Sequence, residues 1–184
     1  GLAPARRGER DGAGLHLLER EWGKCNEAYV QPGMKLLPGY RRMQGLVFRK
    51  DDARFAGVTT PEDAAQRALA DSDCIMVNRN AGSGTRVLID GLLGGQQPPG
   101  YAVQTKSHNA VATSVAQGKS DWGVAIETVA NMYDLGFIPL QEEHYDFIVP
   151  ESRWESASVV RFRELLAHPH AASGLSELGF TVAN

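Results

Sequence analysis

The chain has 184 residues, 42% of them hydrophobic, and a formal charge of -3 from 19 basic and 22 acidic side chains. That length and composition can bury a core as one domain or as two small lobes without disulfide or metal staples, and Cys25 and Cys74 belong to no CxxC pair or Cys/His cluster. Interspersed charges argue against a nucleic-acid surface, no apolar run approaches a membrane span, and the cysteine usage favours a reducing, cytoplasmic setting.

The opening Gly1-Leu2-Ala3-Pro4 has neither a start methionine nor the pattern of a secretory leader, so the chain reads as a piece of a longer polypeptide. A short helix is expected from Pro4 to Gly8, then strands over 13–18 and 44–48. Thr60-Pro61-Glu62-Asp63 starts a helix, with threonine as cap, proline in the first turn and acids at the positive end. A buried strand over 74–77 and a helix over 85–93 follow, the latter with Val87, Leu88, Leu92 and Leu93 on its apolar face. Ser107 caps a helix over 109–117, with Val111, Ala112, Val115 and Ala116 inward and Gly118 as a left-handed stop. Beyond it the pattern predicts a strand over 123–126, a helix over 127–135, strands over 137–140 and 145–149, a helix over 155–167 with Val159, Phe162 and Leu166 inward, and further helical turns through Leu178. Alternating strands and helices predict an α/β fold with mostly parallel sheets.

Gly8-Glu9-Arg10-Asp11-Gly12-Ala13 and Gly118-Lys119-Ser120-Asp121-Trp122-Gly123 share the order helix, glycine, polar pair, aspartate, strand. The echo fits two similar lobes, and it equally fits the liking of any helix-to-strand turn for glycine and aspartate.

The segment Asn78-Arg79-Asn80-Ala81-Gly82-Ser83-Gly84-Thr85-Arg86 carries the strongest chemical signal, since it joins a buried strand to a helix. Glycines let the backbone approach a ligand and free first-turn amides carry partial positive charge. Ser83 and Thr85 add hydroxyls, and Arg79 or Arg86 adds charge. The alternative is local: Ser83 caps the helix and the glycines make the turn. The segment lacks the lysine of a nucleotide P-loop and the Gly-x-Ser-x-Gly of a nucleophile elbow. A hydrolase built on Ser83 with His108 or His144 stays open, although no motif surrounds Asp121 or His144. Ser107-His108 opens a second helix at the strand ends, where α/β sheets bind ligands, and Glu127 follows the strand ending at Ile126. Glu127 reads either as an acceptor for a ligand or arginine or as a solvated first-turn acid. His16 reads as a core histidine or a ligand.

Several of these segments together resemble the type II periplasmic-binding-protein-like domains. The similarity is closest to the branch attached to molybdopterin molybdenumtransferases of the MoeA type and to helix-turn-helix regulators of molybdenum metabolism. It rests on Asn78-Arg79 with Gly82-Ser83-Gly84-Thr85-Arg86, on His108 with the stretch 111–118 and Asp121, on the stretch from Gly123 through Ile126-Glu127, and on Phe137-Ile138-Pro139-Leu140 with Tyr145-Asp146. Arg7-Gly8-Glu9-Arg10-Asp11, His16-Leu17-Leu18 and Gln44-Gly45 extend it over nearly the whole chain. The resemblance implies two α/β lobes joined by crossing hinge strands: an incomplete lobe of 1–45 plus 141–184, lacking its first strand, helix and strand, and a lobe of 46–140 carrying the Gly-Ser-Gly-Thr loop.

It also implies a small oxyanion ligand, molybdate or tungstate, clamped between the lobes and held here by Ser83, Gly84, Thr85 and Arg86. Arg79, Ser107, His108 and Glu127 complete the candidate set, with no catalytic residue, metal or cofactor. The role implied is a sensor or binding module tied to molybdenum cofactor synthesis or molybdenum-responsive regulation, with a fused or associated enzyme or DNA-binding domain as partner. An organic anion, such as a molybdopterin or a nucleotide, is the alternative ligand.

Overall fold

The structure, a computed structural model, describes residues 13–15 and 30–182; the expected first helix, residues 16–18 of the first expected strand with His16, and the first half of the internal echo up to Gly12 lie outside them. The chain divides into two compact units, Met43–Glu142 and a second formed by Gly1–Arg42 with Glu143–Asn184. Two long strands, β2 (Met34–Phe48) and β6 (Gly136–Pro150), each run from one unit into the other. Among the described residues, no helix is long and apolar enough to cross a membrane.

The Met43–Glu142 unit is a three-layer α/β sandwich. Its sheet has the order β6, β2, β5 (Trp122–Ile126), β3 (Met76–Arg79) and β4 (Gln104–Thr105). The expected parallel pairing surrounds β3, which runs parallel to β4 and to β5, while β2 pairs with β5 antiparallel. Helices α1 (Pro61–Ala70) and α2 (Gly84–Leu93) cover one face. There Leu46, Met76, Trp122 and Val124 pack against Phe55, Ala64, Ala68, Ile89 and Leu93. Helix α3 (His108–Ala116) covers the other, with Val111, Ala112 and Val115 buried. A Cβ on Gly123 would lie 2.7 Å from the Val111 side chain, so the bare glycine lets α3 close onto β5. Helix α4 (Glu127–Met132) follows β5 directly.

The other unit pairs β1 (Ala13–Leu15) antiparallel with β6 and β7 (Thr181–Val182) antiparallel with β2. Helices α5 (Ala157–Ala167) and α6 (Pro169–Glu177) complete it. Val159 is buried, as its place on the α5 stripe predicts, and Phe162 meets Phe147 edge to face at 4.8 Å. Tyr40 stacks on Tyr145 at 5.2 Å, and Gly39 N–H donates to the buried Asp146 carboxylate at 3.1 Å.

Several local expectations need correction. The predicted strands over 137–140 and 145–149 are one strand, because the polar Gln141, Glu142, Glu143 and His144 stay extended as β6 passes from unit to unit. The strand expected at 74–77 lies two residues later: β4, too short for a sequence pattern, pairs Asn78 with Gln104 and Arg79 with Thr105. Helix α2 buries Thr85, Ile89 and Leu93, spaced four apart, and leaves Val87 54% exposed. Ala116 is exposed, and α4 stops at Met132 where the pattern suggested 135.

Candidate functional site

In the Met43–Glu142 unit the parallel strands β3, β4 and β5 all point their carboxyl ends to one edge, so α2, α3 and α4 begin there. The first amides of a helix have no partner inside it and carry the positive end of its dipole, so each start is a potential anion contact. The edge therefore gathers Asn80, Ser83, Gly84 and Thr85 before and within α2, Ser107 and His108 at α3, and Ile126 and Glu127 at α4.

At α2 the expected residues divide into supports and free donors. Ser83 is the cap: its Oγ accepts from Arg86 N–H at 3.2 Å and donates its only hydrogen to Asn80 O at 3.0 Å. Arg86 turns along its own helix, donating from Nε to Asp90 at 2.8 Å and from Nη1 to Arg79 O at 3.3 Å, with its guanidinium 4.4 Å from the centre of the Tyr101 ring. Tyr101 also donates to Asp90 at 2.8 Å. Burial works against the Arg86 charge, yet the bonds to Asp90 and Tyr101 outweigh it and raise its pKa further. Both side chains thus brace the turn. Among the described residues, the amides of Gly84 and Thr85 and the Thr85 hydroxyl have no protein acceptor. Thr85 is 4% exposed and Gly84 is half-buried.

On the other sheet face Arg79, 8% exposed, sets Nη1 against the His108 ring at 3.1 Å and reaches Lys106 O at 3.4 Å. The structure therefore brings Arg79 and His108 together at the start of α3. Ser107 caps that helix by accepting from Ala110 N–H at 3.1 Å, as its position predicts. Glu127 opens α4 half-buried, and Ile126 before it lends no side-chain cap. Ser83 is not set up as a nucleophile, because its hydrogen is held by a backbone carbonyl and His108 faces Arg79.

The sequence marks Gln44 only as the first residue of a strand, yet it too lies at this edge. Gln44 is fully buried, and both polar atoms of its amide lack a partner. An unpaired buried polar group costs roughly 1–3 kcal/mol. The available signal was a polar residue opening the apolar run Gly45-Leu46-Val47-Phe48.

Comparison with known proteins adds the family. The model of the PBP superfamily domain matches residues 1–167. The Bacillus subtilis (strain 168) uncharacterized protein YvgK is 31% identical over 177 residues, covering 93% of this chain and 56% of that protein, so the chain spans just over half the length of this curated relative. Among solved structures, the tungstate ABC transporter from Geobacter sulfurreducens aligns over 96% of this chain and 80% of its own, at 15% identity and a TM-score of 0.67. An ABC-type phosphate transport receptor from Vibrio cholerae aligns over 100% and 84%, at 15% identity and a TM-score of 0.63. A reduced form of OxyR from N. meningitidis aligns over 100% and 79%, also at 15% identity and a TM-score of 0.63. At such identities these structures share the fold with this chain.

Proposed function

Because this chain belongs to the PBP superfamily domain family, we propose that it is a binding module for a small oxyanion, with molybdate and tungstate the leading ligands. The observation that carries the reading is the pair of unused amides at Gly84 and Thr85, at an edge where α3 and α4 also begin. These donors suit a compact dianion, because they are fixed by the helix and need no reorganisation to meet charge. Arg79, 8% exposed beneath the α3 start, adds positive potential without a direct contact. The names of the phosphate receptor and tungstate transporter with this fold lend support from proteins that share it. We further propose that the module acts in the cytoplasm as a sensor or binding module for molybdenum cofactor synthesis or molybdenum-responsive regulation. Its output would pass to a fused or associated enzyme or DNA-binding domain.

Calorimetry with molybdate, tungstate, sulfate and phosphate tests the ligand class. Thr85→Val removes the free hydroxyl while keeping the side chain's shape. Gly84→Pro deletes one amide donor at the first helical position, where proline is tolerated, and Ser83 before it already has the extended φ of -82° and ψ of 145° that a following proline requires. A hydrogen bond to a charged ligand contributes about 1.5–3 kcal/mol, so each change should weaken oxyanion binding about tenfold to a hundredfold without unfolding the protein. If none of the four anions binds the unaltered chain, the reading fails.

A further inference from the structure

The orphaned amide of Gln44 has a position that explains it. In the antiparallel pairing of β2 with β5, Gln44 lies opposite Ile126, the last residue of β5, so it sits at the same sheet edge as the helix starts. Alternation along β2 puts Gln44 on the face of Leu46 and Phe48. Leu46 packs in the cluster that contains Ile89 and Leu93 of α2, with Phe48 against that cluster. Gln44 thus shares with the Gly84 and Thr85 amides both the α2-covered face of the sheet and the end at which α2 begins. Its burial and missing partners are independent of the helix end, and they mark a polar group kept for something other than the fold.

We propose that Gln44 is a residue that contacts the oxyanion. Its Nε2 donates to an oxygen of the anion held at the start of α2, and Oε1 accepts from a water entering with the ligand. A neutral amide at this place gives a hydrogen to an oxygen that carries none. A carboxylate would instead repel a bare dianion. This rests on the oxyanion reading above, and the test separates the two.

The probe is sodium tungstate, titrated into the full chain and into Gln44→Met and Gln44→Glu at neutral pH, with denaturant midpoints measured without ligand. Methionine keeps the volume and removes the polar atoms. Gln44→Met should keep or raise the unliganded midpoint and weaken tungstate binding at least tenfold. Gln44→Glu should weaken it further. Unchanged tungstate affinity in Gln44→Met would overturn the Gln44 assignment and leave oxyanion binding standing. A marked loss of unliganded stability would also overturn it, since the amide would then be serving the fold. Wild-type protein that binds no tungstate overturns the Gln44 assignment, and the oxyanion reading falls with it only if molybdate, sulfate and phosphate fail to bind as well.

Discussion

Arg54 organises the edge of its unit remote from the helix starts, where β3 and β5 begin. Its Nε and Nη2 grip Asp52 at 2.8 and 2.6 Å, and Nη2 also lies 2.7 Å from Asp121. Asp121 accepts besides from Arg49 at 2.8 Å and from Ile75 N–H at 2.8 Å, tying the entrances of the two strands together. Burial pushes the Asp121 carboxyl upward, but the Ile75 amide and the two guanidinium groups prevail and hold it below its ordinary 3.8. Its folded pKa is thus lower than its unfolded one, so its stabilisation is present above pH 3.8 and is lost as the pH falls through the folded value. Asp121→Asn should cost about 1.5–3 kcal/mol near neutral pH, and urea titrations should show the deficit shrinking below pH 4. A deficit independent of pH would mean that the charge contributes nothing. Burial also pushes the neighbouring Cys74 thiol up to about 11, so it is an unreactive packing group at neutral pH. The same locality explains what the sequence concealed in the candidate site. Ser83 and Arg86 have the chemistry of ligand donors, yet partners within four residues, Asn80 and Asp90, engage them first.

Among the elements, those with chemical punctuation were legible. Thr60 caps α1 by accepting from Asp63 N–H at 3.2 Å, Ser107 caps α3, and Gly118 takes φ of +69° just beyond it. These signals act over one helical turn and need no tertiary context. Strand limits were not legible, because pairing sets them: β3 extends through the polar Asn78 and Arg79 since β4 is beside it, and β6 stays extended through a run of polar residues. Gly123 shows pairing and packing deciding a single residue. A Cβ there would lie 2.7 Å from Val111 and 2.8 Å from Val77 O, and the latter is backbone that cannot step aside. Gly123→Ala should therefore lower stability by about 1–3 kcal/mol in thermal or denaturant unfolding. An unchanged midpoint would show that α3 yields easily.

For the whole molecule, the α/β class and the family follow from the alternation of elements and from motifs spread over most of the chain. The unpaired Gln44 amide and the division of labour at α2 emerge only from three-dimensional packing. In the proposed function the open amides at the start of α2 receive an oxyanion. Amide nitrogen–proton correlation spectra of the 15N-labelled chain, recorded while sodium tungstate is added, observe those donors directly. The proposed function predicts saturable downfield proton shifts largest at Gly84 and Thr85, with Val111 and Val115 in α3 little changed. Saturable binding that leaves the Gly84 and Thr85 amides unmoved would contradict it.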